Sequence, residues 1–296
     1  MERQYTLKKP LTFEGVGIHT GTHSKVVVEP AEENTGYLFE VEGTLIKASP
    51  ENVVSTTRAV VIGSGEVKVY TIEHLLSALF SLGVDNAYIR VFGREVPILD
   101  GSSYPFARAI VEAGIRRQKE YRVYHEIKKP GYVSLGGSFV AFFPAKSFTV
   151  DIMIDFPHPS LRQQEISMDF SKPSLRYLEE IAPARTFGFV RELESLKEAG
   201  LSAGVDLSNV LVFDERGPLN PPRFPDEPVR HKVLDFLGDV SLLGRRIRGY
   251  IVAYRPGHTV DVAFVRSLEK GDYNSFVSEG VLVPMKPYEL ARLIIT

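Results

Sequence analysis

The sequence predicts an α+β fold built in two similar halves, and three observations carry that expectation. The chain has 296 residues, 44% of them hydrophobic, enough to bury one large core or two of ordinary size. Short β-rich runs surround one strongly periodic helix in the first half. The same order of strands, glycine turns and helices then returns in the second half, without a residue-level repeat.

In the first half, Lys25–Glu29 and Tyr37–Val41 read as strands, and Ala59–Ile62 and Glu66–Tyr70 flank Gly63-Ser64-Gly65 like a hairpin. The period changes at Thr71. From there to Leu82, Ile72, Leu75, Leu76, Leu79 and Phe80 recur at spacings of three and four, which predicts a helix with Thr71 as N-cap and Gly83 as stop. A strand at Ala87–Phe92 and a helix at Tyr104–Ala113, ending at Gly114, complete this half. The charged stretch Arg116-Arg117-Gln118-Lys119-Glu120 marks the expected seam, giving domains at 1–120 and 121–270 and a tail at 271–296. The second half offers strands Tyr132–Leu135 and Phe139–Phe143 about Gly136-Gly137, strand Phe148–Ile154, and helices Leu175–Ile181 and Val190–Ala199. Helix Val229–Leu243 and strand Tyr250–Tyr254 follow.

Composition excludes several classes of function. Thirty-five basic residues against 37 acidic ones leave a net charge of −2, with no basic block for nucleic acid. The absence of cysteine removes disulfides, thiolate nucleophiles and Cys-containing zinc sites, so any metal must sit on His, Asp or Glu. The first residues lack the apolar run of a signal peptide, and no stretch approaches the ~18 apolar residues of a membrane span, so a cytoplasmic location is expected.

Chemistry concentrates in a few segments. His231, Asp235 and Asp239 follow one another at intervals of four, which places them on one face of a helix that also offers Val233, Leu234, Leu237 and Val240 to the core. A surface His–Asp pair is the alternative reading. Glu73-His74, near the start of the first-half helix, can divide their labour, His74 ligating a metal while Glu73 holds the water that the metal activates. Two His and one carboxylate leave a fourth position open, as a catalytic zinc site requires; a capped helix with an exposed Glu is the bland alternative. His258 follows Gly257 after a strand and is placed either to enter a cleft or simply to make a turn. The loop from Gly15 through Gly17 to Gly21 matches neither a P-loop nor a dinucleotide fingerprint.

Taken together, Gly15-Val-Gly-Ile-His-Thr-Gly21, Thr71-Ile-Glu-His-Leu75, Glu95-Val-Pro-Ile-Leu-Asp-Gly-Ser102, Asp155-Phe-Pro-His-Pro159, Ala184-Arg-Thr-Phe-Gly-Phe189, the segment Val229–Asp239 and Gly257-His258 resemble the successive signatures of the UDP-3-O-acyl-N-acetylglucosamine deacetylases. The resemblance implies two layered α/β sandwich domains with helices packed between them and the active site at their interface. It implies Zn2+ on His74, His231 and Asp235, Glu73 as general base, and His258 as cationic general acid steadied by Asp239. Thr186 would donate to the oxyanion. Lys232, Phe187 and His19 match cleft-lining positions, and Phe156 matches an aromatic that packs on uracil. An acyl passage would run along Phe187, Phe189, Leu193, Leu201, Val205 and Leu207. The partner implied is a small molecule, an acylated UDP-amino sugar, acted on by a monomer.

The chain departs from the family pattern at three positions: Asp261 stands where an Asn is common, Ser138 where some members carry a Lys, and Val205 where a Gly lines the acyl passage. Two rival readings remain at this level, another zinc amidohydrolase and a noncatalytic sugar-nucleotide-binding protein.

Overall fold

Alternation of apolar and polar residues makes strands of the β-branched runs. In the computed structural model, which describes residues 2–173, 175–275 and 287–294, they assemble into two main sheets of one design. In the first half the spatial order is Leu11–Val16, His23–Pro30, Ala87–Phe92, Tyr37–Val41 and Thr44–Lys47. In the second it is Gly131–Leu135, Ser138–Phe143, Arg246–Tyr254, Phe148–Ile154 and Gln164–Asp169, with Tyr124–Glu126 also paired to Arg246–Tyr254. Each sheet runs antiparallel from its first hairpin to the central strand, parallel to the fourth strand and antiparallel at the far edge. The repeat suggested by element order is a repeat of sheet topology.

The described α-helices are α1 (Glu73–Ser81), α2 (Tyr104–Ala113), α3 (Leu193–Glu198), α4 (Glu227–Val240), α5 (His258–Lys270) and α6 (Pro287–Ile294). A parallel pair of strands needs a long crossover. The crossover that precedes the central strand carries α1 in the first half and α4 in the second, and α2 and α5 follow the two central strands in the same way. All nine residues of α1 are buried. One continuous core, including Leu75, Leu76 and Leu79 of α1 and Val233, Leu234 and Leu237 of α4, joins the two halves. At the contact of these two helices stands Gly238, where a Cβ would fall 2.3 Å from the carbonyl oxygen of Glu73. The interface is therefore backbone against backbone.

Several local expectations are corrected. Thr71 is not a cap: it sits at φ 58° with its hydroxyl donating to Glu95 Oε1 at 2.7 Å, and α1 begins after Ile72. The charged stretch at the expected seam lies within Ile115–Tyr121, a strand antiparallel to Arg3–Leu7. The predicted Leu175–Ile181 helix closes as a π-helical turn at Tyr177–Ile181, and Val190–Ala199 divides into a 3-10 turn at Val190–Glu192 and α3. Helix α4 starts at Glu227 and yields to a 3-10 turn at Ser241–Leu243. Within the tail, α6 lays Leu290 on Phe139, Phe143, Met153, Val252 and Tyr254, the outer face of the second sheet, while residues 276–286 and 295–296 lie outside the described ones. No helix among the described residues is long and apolar enough to cross a membrane.

Candidate functional site

Helices α1 and α4 carry the site because their close approach brings the polar ends of both to one place. His74 on α1 and His231 and Asp235 on α4 are buried, and one ligand atom from each lies within 4.8 Å of the others. His231 Nε2 is 3.2 Å and His74 Nε2 3.7 Å from the same oxygen, Asp235 Oδ1. The other ring nitrogen of His231 donates to the carbonyl of Ala184 at 3.0 Å, which fixes its tautomer and turns Nε2 inward. The backbone under His74 is held by Ser103, whose hydroxyl donates to the His74 carbonyl at 2.7 Å and also pairs with the buried phenol of Tyr177.

Protonation favours a cation at this cluster. Burial, with the His231 ring beside it, pushes His74 down to about 3, so the ring is neutral and its lone pair free. Burial alone would raise Asp235, but His231 and the Lys232 ammonium, 2.8 Å from its Oδ2, outweigh it and hold the carboxyl well below its ordinary value. Two imidazoles and one carboxylate converging in a buried pocket fit a divalent metal with an open coordination position.

Two further groups flank the cluster. Glu73 is buried, with Oε2 accepting from the Val60 amide at 3.1 Å and Oε1 3.7 Å from His258 Nε2. Burial pushes its carboxyl up to about 8, opposed by His258 and reinforced by Asp235 and Asp239. His258, the first residue of α5, hands its Nδ1 to Asp239 Oδ2 at 2.8 Å. The result is a chain from Glu73 through His258 to Asp239 along one side of the ligand cluster.

These residues close the inner end of a cleft of about 620 Å³ lined also by His19, Thr186, Lys232, Phe187, Phe189, Leu193 and Val205. Thr186 is set there by its amide, which donates to Gly101 at 2.8 Å, and by the buried Arg185–Glu227 ion pair at 2.9 Å, which ties its neighbour to the start of α4. His19 is buried with Nδ1 unpartnered; burial lowers its imidazole, and Glu95 opposes this. Phe156 lines an adjoining cavity of about 390 Å³ and packs with Phe187 and Phe189 at ring separations of 5.5 and 5.8 Å. Two expected members of the acyl passage fall elsewhere. Leu201 and Leu207, unlike Ser202 and Val205 of the same segment, do not line the cleft, and Leu207 is 54% exposed. Their places along the apolar wall are taken by Ile18, Leu196, Val210 and Val212.

Sequence reasoning also missed the scaffold around these residues. Glu95 accepts from the amides of His19 and Thr20 and from the hydroxyls of Thr20 and Thr71, so a single buried carboxyl joins the glycine loop to the start of α1. Arg58 and Glu192, paired at 2.9 Å, span the cleft from one half to the other. Nothing in the spacing of these six residues signals that they meet.

With this geometry in place, the comparisons with known proteins are decisive. The family model for UDP-3-O-acyl N-acetylglycosamine deacetylase matches residues 4–270. The chain belongs to this family. Among curated members of the deacetylase family, the UDP-3-O-acyl-N-acetylglucosamine deacetylase of Syntrophotalea carbinolica is 43% identical over 271 residues, 90% of this chain and 87% of that protein. The protein of the same name from Acidithiobacillus ferrooxidans is 42% identical over 276 residues, 90% of each chain. The one from Nitratidesulfovibrio vulgaris is 38% identical over 296 residues, covering 98% of this chain and 94% of its own. The span of these matches takes in every polar residue of the cleft described above, from His19 to His258.

Proposed function

We propose that the protein hydrolyses the N-acetyl group of UDP-3-O-((R)-3-hydroxyacyl)-N-acetylglucosamine to acetate and UDP-3-O-acyl-glucosamine, the committed step of lipid A biosynthesis, with one zinc ion held by His74, His231 and Asp235. The observation that carries this reading is the placement of Glu73 and His258, 3.7 Å apart and both beside a buried three-ligand cluster. A base and an acid on one side of a metal site are what amide hydrolysis needs. When bound, zinc supplies a Lewis acid that polarises the amide oxygen and acidifies water.

The chain's own residues do the rest. Glu73, poised by burial, takes the proton of the attacking water. The hydroxyl of Thr186 donates to the amide oxygen as charge develops there, an effect typically worth ~3 kcal/mol per donor. His258 gives the departing amine its proton from Nε2, while Asp239 accepts from Nδ1 and keeps the ring aimed. Lys232, held on Asp235, adds positive charge next to the reacting centre. Phe156, in the adjoining cavity, receives the uracil ring, and His19 and Phe187 flank the sugar. The acyl chain lies along Phe189, Leu193, Leu196 and Val205. The test is product analysis with the acylated UDP sugar, a free N-acetylated sugar and an N-acetylated peptide. Acetate released efficiently from the first substrate alone is expected. Equal release from the others would support a general zinc amidohydrolase, and binding without release a noncatalytic protein.

A further inference from the structure

Two carboxyl groups stand one behind the other beneath His258. Asp239 of α4 and Asp261 of α5 are both 0% exposed. Oδ2 of Asp239 is taken by His258, but Oδ1 of Asp239 and both oxygens of Asp261 meet no N–H or O–H donor among the described residues. Asp261 lies one turn after His258 on α5, where that helix packs on α4, and the two carboxyls interact there. The charged groups that reach Asp261 are Asp239, Lys232 and Asp235 of α4 and His258 of its own helix, and Lys232 is already spent on Asp235 Oδ2.

Two buried carboxylates in contact cannot both be ionised, since each repels the other in a medium that screens weakly. Buried acceptors with no donor add a further desolvation cost. One proton relieves the repulsion and pairs two of the three donorless oxygens, because it turns one of them into a donor aimed at the neighbouring carboxylate. Its place follows from the surroundings: Asp239 faces the imidazole that must carry positive charge, whereas Asp261 lies behind it. Burial, with Asp239 next to it, pushes the Asp261 carboxyl well up; burial and Asp235 push that of Asp239 up as well, opposed by Lys232 and by Asp261 itself.

We propose that Asp261 is a positioning residue that keeps a proton at neutral pH and donates it in a hydrogen bond to Oδ1 of Asp239, so that Asp239 presents one oriented negative charge to His258. Asp261, Asp239 and His258 then balance a single carboxylate against a single imidazolium. This role presupposes that His258 is the proton donor of the reaction, whereas the proton on Asp261 is observable without turnover.

Difference infrared spectra of wild type against Asp261→Asn read that proton directly. A carboxylic-acid carbonyl band at neutral pH, shifted in D2O and absent from the variant, is expected; carboxylate bands alone would overturn the proposal even if His258 is the acid. Kinetics supply the second arm. Asp261→Leu, branched alike but with no donor, is expected to lose about tenfold or more in kcat with KM little changed. Asp261→Asn, whose amide can make the same hydrogen bond, restores the rate to within about threefold and leaves the alkaline limb of kcat/KM in place. An Asp261 that works as a second anion would instead have its removal move that limb down by about one pH unit, which contradicts the proposal. Should the Leu variant fail to fold, the infrared band and the Asn profile still decide the matter.

Discussion

Substituting Gly238 by Ala tests whether the contact between α1 and α4 sets the position of the general base. The added methyl would stand 2.3 Å from the carbonyl oxygen of Glu73 and 2.9 Å from its Cα, where ordinary contact is 3.4–4 Å. Neither neighbour is the end of a flexible side chain, so the helices must part by about 1 Å, a displacement that costs on the order of 100-fold when it falls on a catalytic group. Stability changes less, because overpacking costs about 1–3 kcal/mol while Ala in a helix interior gains about 1 kcal/mol over Gly. The assay is acetate release under saturating acylated UDP sugar, paired with urea unfolding. The expectation is a folded protein with kcat down about 100-fold and stability lower by no more than about 2 kcal/mol. A Gly238→Ala enzyme within about threefold of wild-type kcat would refute the claim that this backbone contact positions Glu73.

Glu73→Gln is expected to keep its metal and lose about 100-fold or more in kcat, since an amide can hold water but cannot accept its proton; parallel elemental analysis and turnover check this. His231→Ala and Asp235→Ala are each expected to fold yet bind far less than one zinc per chain, because two ligands do not suffice for tight tetrahedral binding. The base works ionised, so activity is lost as pH falls. Burial, opposed by His258 and reinforced by Asp235 and Asp239, sets the Glu73 carboxyl at about 8, and a metal cation beside it lowers it. The acid limb of kcat/KM in the metal-loaded enzyme therefore lies between the ordinary Glu value of about 4.3 and about 8, and a profile flat to below about 4.3 would exclude Glu73 as the base. Removing the 3-O-acyl chain is expected to lower kcat as well as raise KM, because eight buried methylenes supply up to about 6 kcal/mol, part of which orients the amide; equal kcat/KM with and without the chain would contradict this.

The parts legible in the sequence are those whose signal is periodic. Helix α1 and the row His231, Asp235, Asp239 follow from spacing alone, since i and i+4 share a helix face whatever surrounds them. Helix α5 escaped this reading. Its Val260, Val262 and Val265 look as much like a strand as a helix, and His258 passed for a turn residue. The signal was nevertheless present in the repeat: α2 follows the central strand of the first sheet, so a helix was due after Arg246–Tyr254 in the second. Thr71 has the composition of an N-cap but is held at positive φ by Glu95, 24 residues away in sequence, a tertiary contact that no local rule anticipates. Leu201 and Leu207 fit the hydrophobic run of a passage by composition, but the direction of a loop after α3 is set by backbone hydrogen bonds such as Ala203 to His19 and Gly204 to Ile18. Asp261 stood out as a departure from the family pattern, and its partnership with Asp239 emerges only when α4 and α5 pack together.

The central claim is that His74, His231 and Asp235 hold the zinc on which deacetylation depends. Its most direct test is a titration of Zn2+ into chelator-stripped protein, following acetate release from UDP-3-O-((R)-3-hydroxyacyl)-N-acetylglucosamine. Activity that is absent without metal and rises to a break at one equivalent per chain is the expected result; stripped protein that releases acetate at the full rate would contradict it.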